Sequence, residues 1–188
     1  MYFDNFPVII YDSVGNGKYK DVTNLLRRVT MRSKVKSNAL MFDTYDVKEG
    51  ETPEMIADKL YNDPELHWVI LLINDISDRY HQWPMSTPQF LDYINEKYVN
   101  ADGTSNVDGV HHYEIAQDSG DTDIKIEVYK NSALYTGDSD FYASASTVTN
   151  FEYEESVQDE LRKIRLLDPS YIDQFVSEFK SLMKETII

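Results

Sequence analysis

Apolar positions along this chain recur at two spacings, near two residues and near 3.6, and the alternation between them predicts the order of elements. The first apolar group is Phe3, Phe6, Val8, Ile9, Ile10 and Tyr11. Pro7 interrupts it and the turn-prone Gly15-Asn16-Gly17 closes it, which reads as an edge strand or extended arm. Val22, Leu25, Leu26 and Val29 then fall at i, i+3, i+4 and i+7, predicting a helix from Val22 to about Met31 with Asp21 as its cap and Arg27 and Arg28 on its flanks. Tyr45 and Val47 alternate as in a short strand, and Gly50 marks a turn. Thr52-Pro53 opens a helix, because the threonine hydroxyl accepts from an orphan N–H and proline tolerates the first helical position. Asp63-Pro64 repeats the device before a second helix carrying Trp68, Leu71, Leu72 and Ile73.

Beyond Trp83, Pro84 to Pro88 form a connector in which Ser86 or Thr87 starts a helix containing Phe90, Leu91, Ile94 and Tyr98. Asn, Asp, Gly and Ser dominate residues 100–109, a loop composition. Val110 to Ile115 and Ile124 to Tyr129 predict a hairpin turning at Asp118-Ser119-Gly120-Asp121. Residues 131–146 are weakly patterned, Val148 to Tyr153 suits a further strand, and Arg162 to Leu167 suits a short one. Asp168-Pro169 caps a final helix whose stripe is Ile172, Phe175, Val176, Phe179, Leu182 and Met183. The fold class expected is α+β. Its divisions are an N-terminal arm with a basic helix (1–40), a strand and helices (41–99), an acidic β-rich insertion (100–154) and a closing strand and helix (155–188).

The block from Phe42 to Trp83 resembles the LysM module. The likeness is carried by Tyr45-x-Val47, Gly50-Glu51-Thr52, Ile56-Ala57, Tyr61-x-Asp63-Pro64, Trp68 and Asn74. Its compact second half, Tyr-x-Asp-Pro followed by Trp-Val-Ile, is similar to modules of phage tail and baseplate proteins rather than those of cell-wall hydrolases. The whole order of basic N-terminal segment, LysM-like block, β-rich insertion, Glu160-Leu161-Arg162-Lys163-Ile164-Arg165 and closing helix resembles the baseplate wedge protein 53 family of T4-like contractile-tailed phages. That resemblance implies a LysM-like βααβ fold with core positions Tyr45, Val47, Gly50, Ile56, Tyr61, Trp68 and Asn74. It also implies a structural subunit of the virion, placed in the tail baseplate and assembled in the host cytoplasm, which helps to join wedges around the hub. The implied partners are other baseplate wedge proteins, the sheath-initiator protein, hub proteins and copies of itself in neighbouring wedges. The alternative is a peptidoglycan-binding LysM protein associated with a lysis apparatus. The residues after Asn74, Ile76 to Pro84, depart from the Gly-rich closing strand that such a protein would carry.

Composition narrows these readings. The chain has 188 residues, 41% of them hydrophobic and 13% aromatic, enough to bury a core. With no cysteine, disulfides, thiolate metal sites and cysteine nucleophiles are excluded. No apolar run approaches the roughly 20 residues that span a bilayer, and Met1-Tyr2-Phe3-Asp4 lacks a basic n-region, so neither a membrane contact nor signal-peptide export is expected. The net charge of −15 is unevenly placed. Lys18, Lys20, Arg27, Arg28, Arg32, Lys34 and Lys36 face Asp21 alone between positions 18 and 36, whereas residues 101–160 hold fourteen acids against Lys125 and Lys130. Such segregation suits surfaces for oppositely charged partners or for a second copy, and a chain this acidic repels nucleic acid.

Catalytic chemistry finds little purchase. His111-His112 is the most tempting pair, but neighbours on a regular strand point to opposite faces and cannot share a metal without a bulge. His67 and His81 read as surface or packing residues. Asp121-x-Asp123 and Asp138-x-Asp140 lack the distal glutamate of a calcium loop, and Gly15-x-Gly17-Lys18 lacks the spacing of a phosphate-binding loop. We therefore expect no catalytic residue, metal or cofactor. Trp68 sits on an apolar helix face and reads as core rather than as a sugar platform. The expected partner-binding residues are Arg27, Arg28, Arg32, Lys34, Phe175, Phe179 and Trp83, the last either gripping a neighbour or closing over its own core.

Overall fold

A computed structural model describes residues 2–26, 30–31, 39–116, 125–130 and 145–184. The chain is α+β and divides into two compact units. The first comprises residues 1–83 and 162–188, the second residues 84–161.

In the first unit, a 3-10 turn over Tyr2–Asn5 leads to β1 (Val8–Tyr11), which pairs antiparallel with β2 (Lys20–Thr23). A second antiparallel pair joins β3 (Phe42–Asp46) to β7 (Lys163–Leu167), with Phe42 opposite Leu167 and Asp46 opposite Lys163. Between them in sequence come α1 (Pro53–Tyr61) and α2 (His67–Ile73). The short α3 (Arg79–Gln82) follows, and α6 (Ile172–Lys184) ends the described chain. The local chemistry of the turns explains these bounds. Gly50 takes a φ of 73°, a left-handed value that glycine adopts most readily. Thr52 accepts from the Met55 N–H at 3.4 Å, and Asp63 accepts from the Glu65 N–H at 2.9 Å. Asn62, also left-handed, ends α1. At the other end of the chain, Asp168 accepts from the Ser170 N–H at 2.8 Å.

β7 is buried on both faces, which is why it holds the unit together. Ile164 and Leu166 join Val47, Ile56, Ala57, Ile70 and Trp83. Leu167 points the other way, into a cluster with Phe6, Trp68, Val69, Ile73, Phe179 and Met183. Two polar side chains lock the strand from outside the sheet. Asn74 donates to the Arg165 carbonyl and accepts from its N–H, both at 2.8 Å, so one side chain stands in for a neighbouring strand. Tyr61 donates its hydroxyl to the Leu167 carbonyl at 2.9 Å, and burial pushes its pKa up to about 12.

The second unit contains α4 (Thr87–Lys97), a three-stranded antiparallel sheet and α5 (Asn150–Arg162), whose last residue belongs to the first unit. The strand order is β5 (Lys125–Val128), β4 (Val110–Ala116), β6 (Ser146–Thr149). Pairing of β4 with β5 is the hairpin expected from the sequence. Its turn at residues 118–121 lies outside the described residues, as do Ile124 and residues 131–144.

Two expectations are corrected. The segment opening at Val22 is not helical: Val22 and Thr23 belong to β2, and Leu25 and Leu26 follow in a turn. Pairing of these β-branched residues with Ile9 and Val8 overrides the helical spacing, a tertiary effect that periodicity cannot register. Residues 27–29 of that expected helix lie outside the described residues. Likewise the strand expected over Val148–Tyr153 ends at Thr149, where α5 begins. Glu152 accepts from the Thr149 N–H at 2.8 Å and its own N–H donates to the Thr149 hydroxyl at 3.2 Å. That reciprocal capping box ends the strand and starts the helix.

Candidate docking surface

The ribbon formed by β1 and β2 is the most exposed apolar structure among the described residues. All four positions of each strand are exposed, on both faces. Ile10 keeps 72% of its surface in water, Val14 in the connecting loop 77% and Leu26 after β2 93%. Tyr11, Tyr19 and Val8 are exposed as well. Scattered apolar residues on a surface need no explanation, but a contiguous group of this kind marks an interaction site. A lone two-stranded ribbon is also marginal in water, since it has no core beneath it.

The loop between the strands is nonetheless well organised. Asp12 accepts from the backbone N–H groups of Val14, Gly15, Asn16 and Gly17 at 2.7 to 3.3 Å. Gly15 and Gly17 take φ values of 71° and 76°, which turns their amides inward onto the carboxylate. Hydrogen bonding, led by Gly17, holds the Asp12 carboxyl below the usual carboxylate pKa. The charge of Asp12 is thereby spent inside the loop, while Lys18 and Lys20 stay exposed beside it.

The strand edges are open in a defined way. Pro7 accepts from the Asn24 N–H at 2.8 Å, so the backbone of residue 7 faces β2. Alternation along β1 then turns the backbone groups of Ile9 and Tyr11 inward and those of Val8 and Ile10 outward.

Of the residues singled out in the sequence, Arg27, Arg28, Arg32 and Lys34 lie outside the described residues. Trp83 corrects the expectation of a partner anchor. It is 7% exposed, packs in the core with Ile70 and Ile164, and donates its indole N–H to the Glu51 carbonyl at 2.9 Å. The large ring finds enough apolar surface within its own unit, so closing over the core is the role it takes. Phe179 is buried, with its ring 4.5 Å from that of Trp68. Phe175 is partly buried and, with Phe179, Met31, Met41 and Leu72, lines an apolar cavity of about 270 Å³. Trp68 itself is 7% exposed. Val47 and Ile56 are core residues, while Tyr45 is partly buried and donates to Glu51 at 2.7 Å.

The histidine pair of the second unit also departs from expectation. A bulge between Val110 and His112 breaks the strand alternation, and the two Nδ1 atoms come within 2.9 Å. His111 stacks on Tyr153 at 3.8 Å, and His112 lies 5.3 Å from the Tyr129 ring. Burial, reinforced by His112, lowers the His111 pKa. Nearby, the buried Glu154 accepts from Lys97 and from the Tyr98 hydroxyl, each at 2.7 Å. Burial opposes ionisation of Glu154, but these hydrogen bonds outweigh it and leave its pKa below the usual value. No group of three or more potential metal-ligating side chains occurs among the described residues. No helix there is long and apolar enough to cross a membrane.

Comparison with known proteins agrees with a role built on surfaces. The family model described as base plate wedge protein 53 matches residues 1–182. Baseplate wedge protein gp53 of Enterobacteria phage T4 is 24% identical over 148 residues, covering 76% of this chain and 74% of its own. The family match takes in both units and the exposed ribbon alike, so the chain belongs to the base plate wedge protein 53 family and is a structural component of the phage tail baseplate.

Proposed function

We propose that this chain is a non-enzymatic connector of the baseplate wedge that grips neighbouring baseplate proteins through its N-terminal ribbon and helps to join wedges around the hub. The observation carrying this reading is the β1–β2 ribbon, whose eight strand positions are all exposed although five are large and apolar. A free protein gains nothing from such a ribbon, whereas a subunit of a large assembly buries it on docking. The strand–helix–helix–strand order of β3, α1, α2 and β7 supports reading the first unit as LysM-like, here serving as the platform behind the ribbon. Burial of Trp68 beneath Phe179 counts against a glycan-binding role, because a sugar needs the ring face free. The sheath-initiator protein and copies of this chain in adjacent wedges are the further partners of this reading, with Arg27 and Arg28 set against acidic surfaces.

The test is reconstitution. The purified chain is mixed with wedge complexes lacking it, and particle mass is followed by sedimentation. Stoichiometric incorporation that weakens on charge reversal at Arg27 and Arg28 is expected. A chain that stays free of the wedges at every salt concentration contradicts the reading.

A further inference from the structure

We infer that the outer edge of β1 receives an extended segment of a neighbouring wedge protein, which adds to the ribbon as a third strand and carries apolar residues flanked by carboxylates. This inference rests on the connector reading above and specifies how the connector binds.

Two structural observations lead to it. The N–H and C=O groups of Val8 and Ile10 point away from β2, and both residues are largely exposed, so β1 presents a ready row of donors and acceptors. An edge of this kind is normally blunted by charge, proline or a bulge. Here Pro7 precedes the strand and its four positions are Val, Ile, Ile and Tyr, so nothing along the edge itself discourages pairing. Second, the loop is fixed by Asp12, so the edge is presented in one conformation and strand addition has less ordering to oppose it.

Charge selects the occupant. Two copies of a chain with a net charge of −15 repel each other, which disfavours a second copy as the added strand. The ribbon carries exposed Lys18 and Lys20, with Asp12 turned inward and Asp21 the remaining acid. Its end near the loop is therefore basic. A partner segment with carboxylates at that end and apolar residues opposite Val8 to Tyr11 satisfies the ribbon's charges, its apolar side chains and its unpaired backbone together.

The experiment is amide hydrogen exchange on the full chain, alone and after incorporation into wedges that lack it. In the free chain the Val8 and Ile10 amides exchange rapidly, and on incorporation they slow by at least roughly tenfold, as expected for amides entering a sheet. Ile10→Pro removes one outward N–H and leaves the inward bonds of Ile9 and Tyr11 in place, so it should weaken incorporation by roughly tenfold. If the proline also disrupts the ribbon, the exchange data on the unmodified chain decide. Incorporation with Val8 and Ile10 exchanging as in the free chain overturns the strand addition and leaves the connector reading standing. Protection that grows with the concentration of the chain alone assigns the edge to a second copy and overturns the choice of partner. Absence of incorporation overturns both readings.

Discussion

The first unit contains two antiparallel ribbons of similar length, and they differ in almost everything except geometry. In the β3–β7 pair, β7 is covered on both sides by α1, α2, α6 and Trp83, with Leu167 fully buried, while Asp43, Thr44 and Asp46 of β3 stay exposed. The β1–β2 pair has every strand position exposed, although its sequence is just as apolar. Hydrophobic content therefore says that a segment will be covered, and only the surroundings say by what. For β7 the cover is the chain itself. For β1 the proposed cover is another molecule.

This contrast is open to direct attack. The largest effect should come from Leu167→Ala, which empties space between Trp68, Phe179 and Met183. Denaturant unfolding is expected to show a loss of about 2–5 kcal/mol, the usual cost of such a truncation in a core. A loss as small as that at an exposed site would mean that β7 is not the strand that organises this unit. Next, Asn74→Ala strands the N–H and C=O of Arg165 on the outer side of β7. A destabilisation of about 2 kcal/mol is expected from part-buried backbone groups left without these partners, read from the same unfolding curves.

A smaller effect separates the ribbons from the second unit. Burial lowers the pKa of His111, which faces His112, Glu154, Lys97 and Glu127 and is stacked on Tyr153. Because its folded pKa lies below the unfolded value of about 6.5, the unfolded chain takes up the proton first. The stability this provides is complete above about pH 6.5 and is lost as pH falls toward the folded pKa. Protection of the β4 amides relative to their intrinsic exchange rates should fall as pH drops below about 6.5, and His111→Phe, which keeps a ring on Tyr153 but cannot titrate, should flatten that dependence. An unchanged slope in the variant would assign the effect to other groups.

The sequence made some of this legible and hid the rest for physical reasons. Helix starts at Thr52, Asp63 and Asp168 are local, each made by a side chain within three residues of the N–H it accepts from, and they stand where their sequences placed them. The strand over Lys163–Leu167 was also readable, but its pairing with β3 across the intervening second unit was not, because nothing local encodes a partner so distant in sequence. Val22 shows the opposite failure. Its helical spacing with Leu25 and Leu26 was genuine in the sequence and irrelevant in the fold, where pairing with Ile9 decides. The start of α5 was encoded in Thr149-x-x-Glu152, a capping signal masked by the β-branched residues before it. For the docking surface, the apolar run at Val8–Tyr11 was visible as an arm, and its two-sided exposure was not. Trp83 marks the limit of composition: a large aromatic near a loop carries no statement of which side will cover it.

The most direct test of the account is to weaken the exposed ribbon and measure fold and assembly together. In the variant Val8→Ser with Ile10→Ser, the unfolding midpoint should move little, with a stability change within about 0.5 kcal/mol, as expected for exposed positions. Incorporation into baseplate wedges, followed by sedimentation on the same preparation, should be largely lost. Full incorporation, or a loss of stability comparable to that of Leu167→Ala, would contradict the claim that this ribbon is built for a partner rather than for the fold.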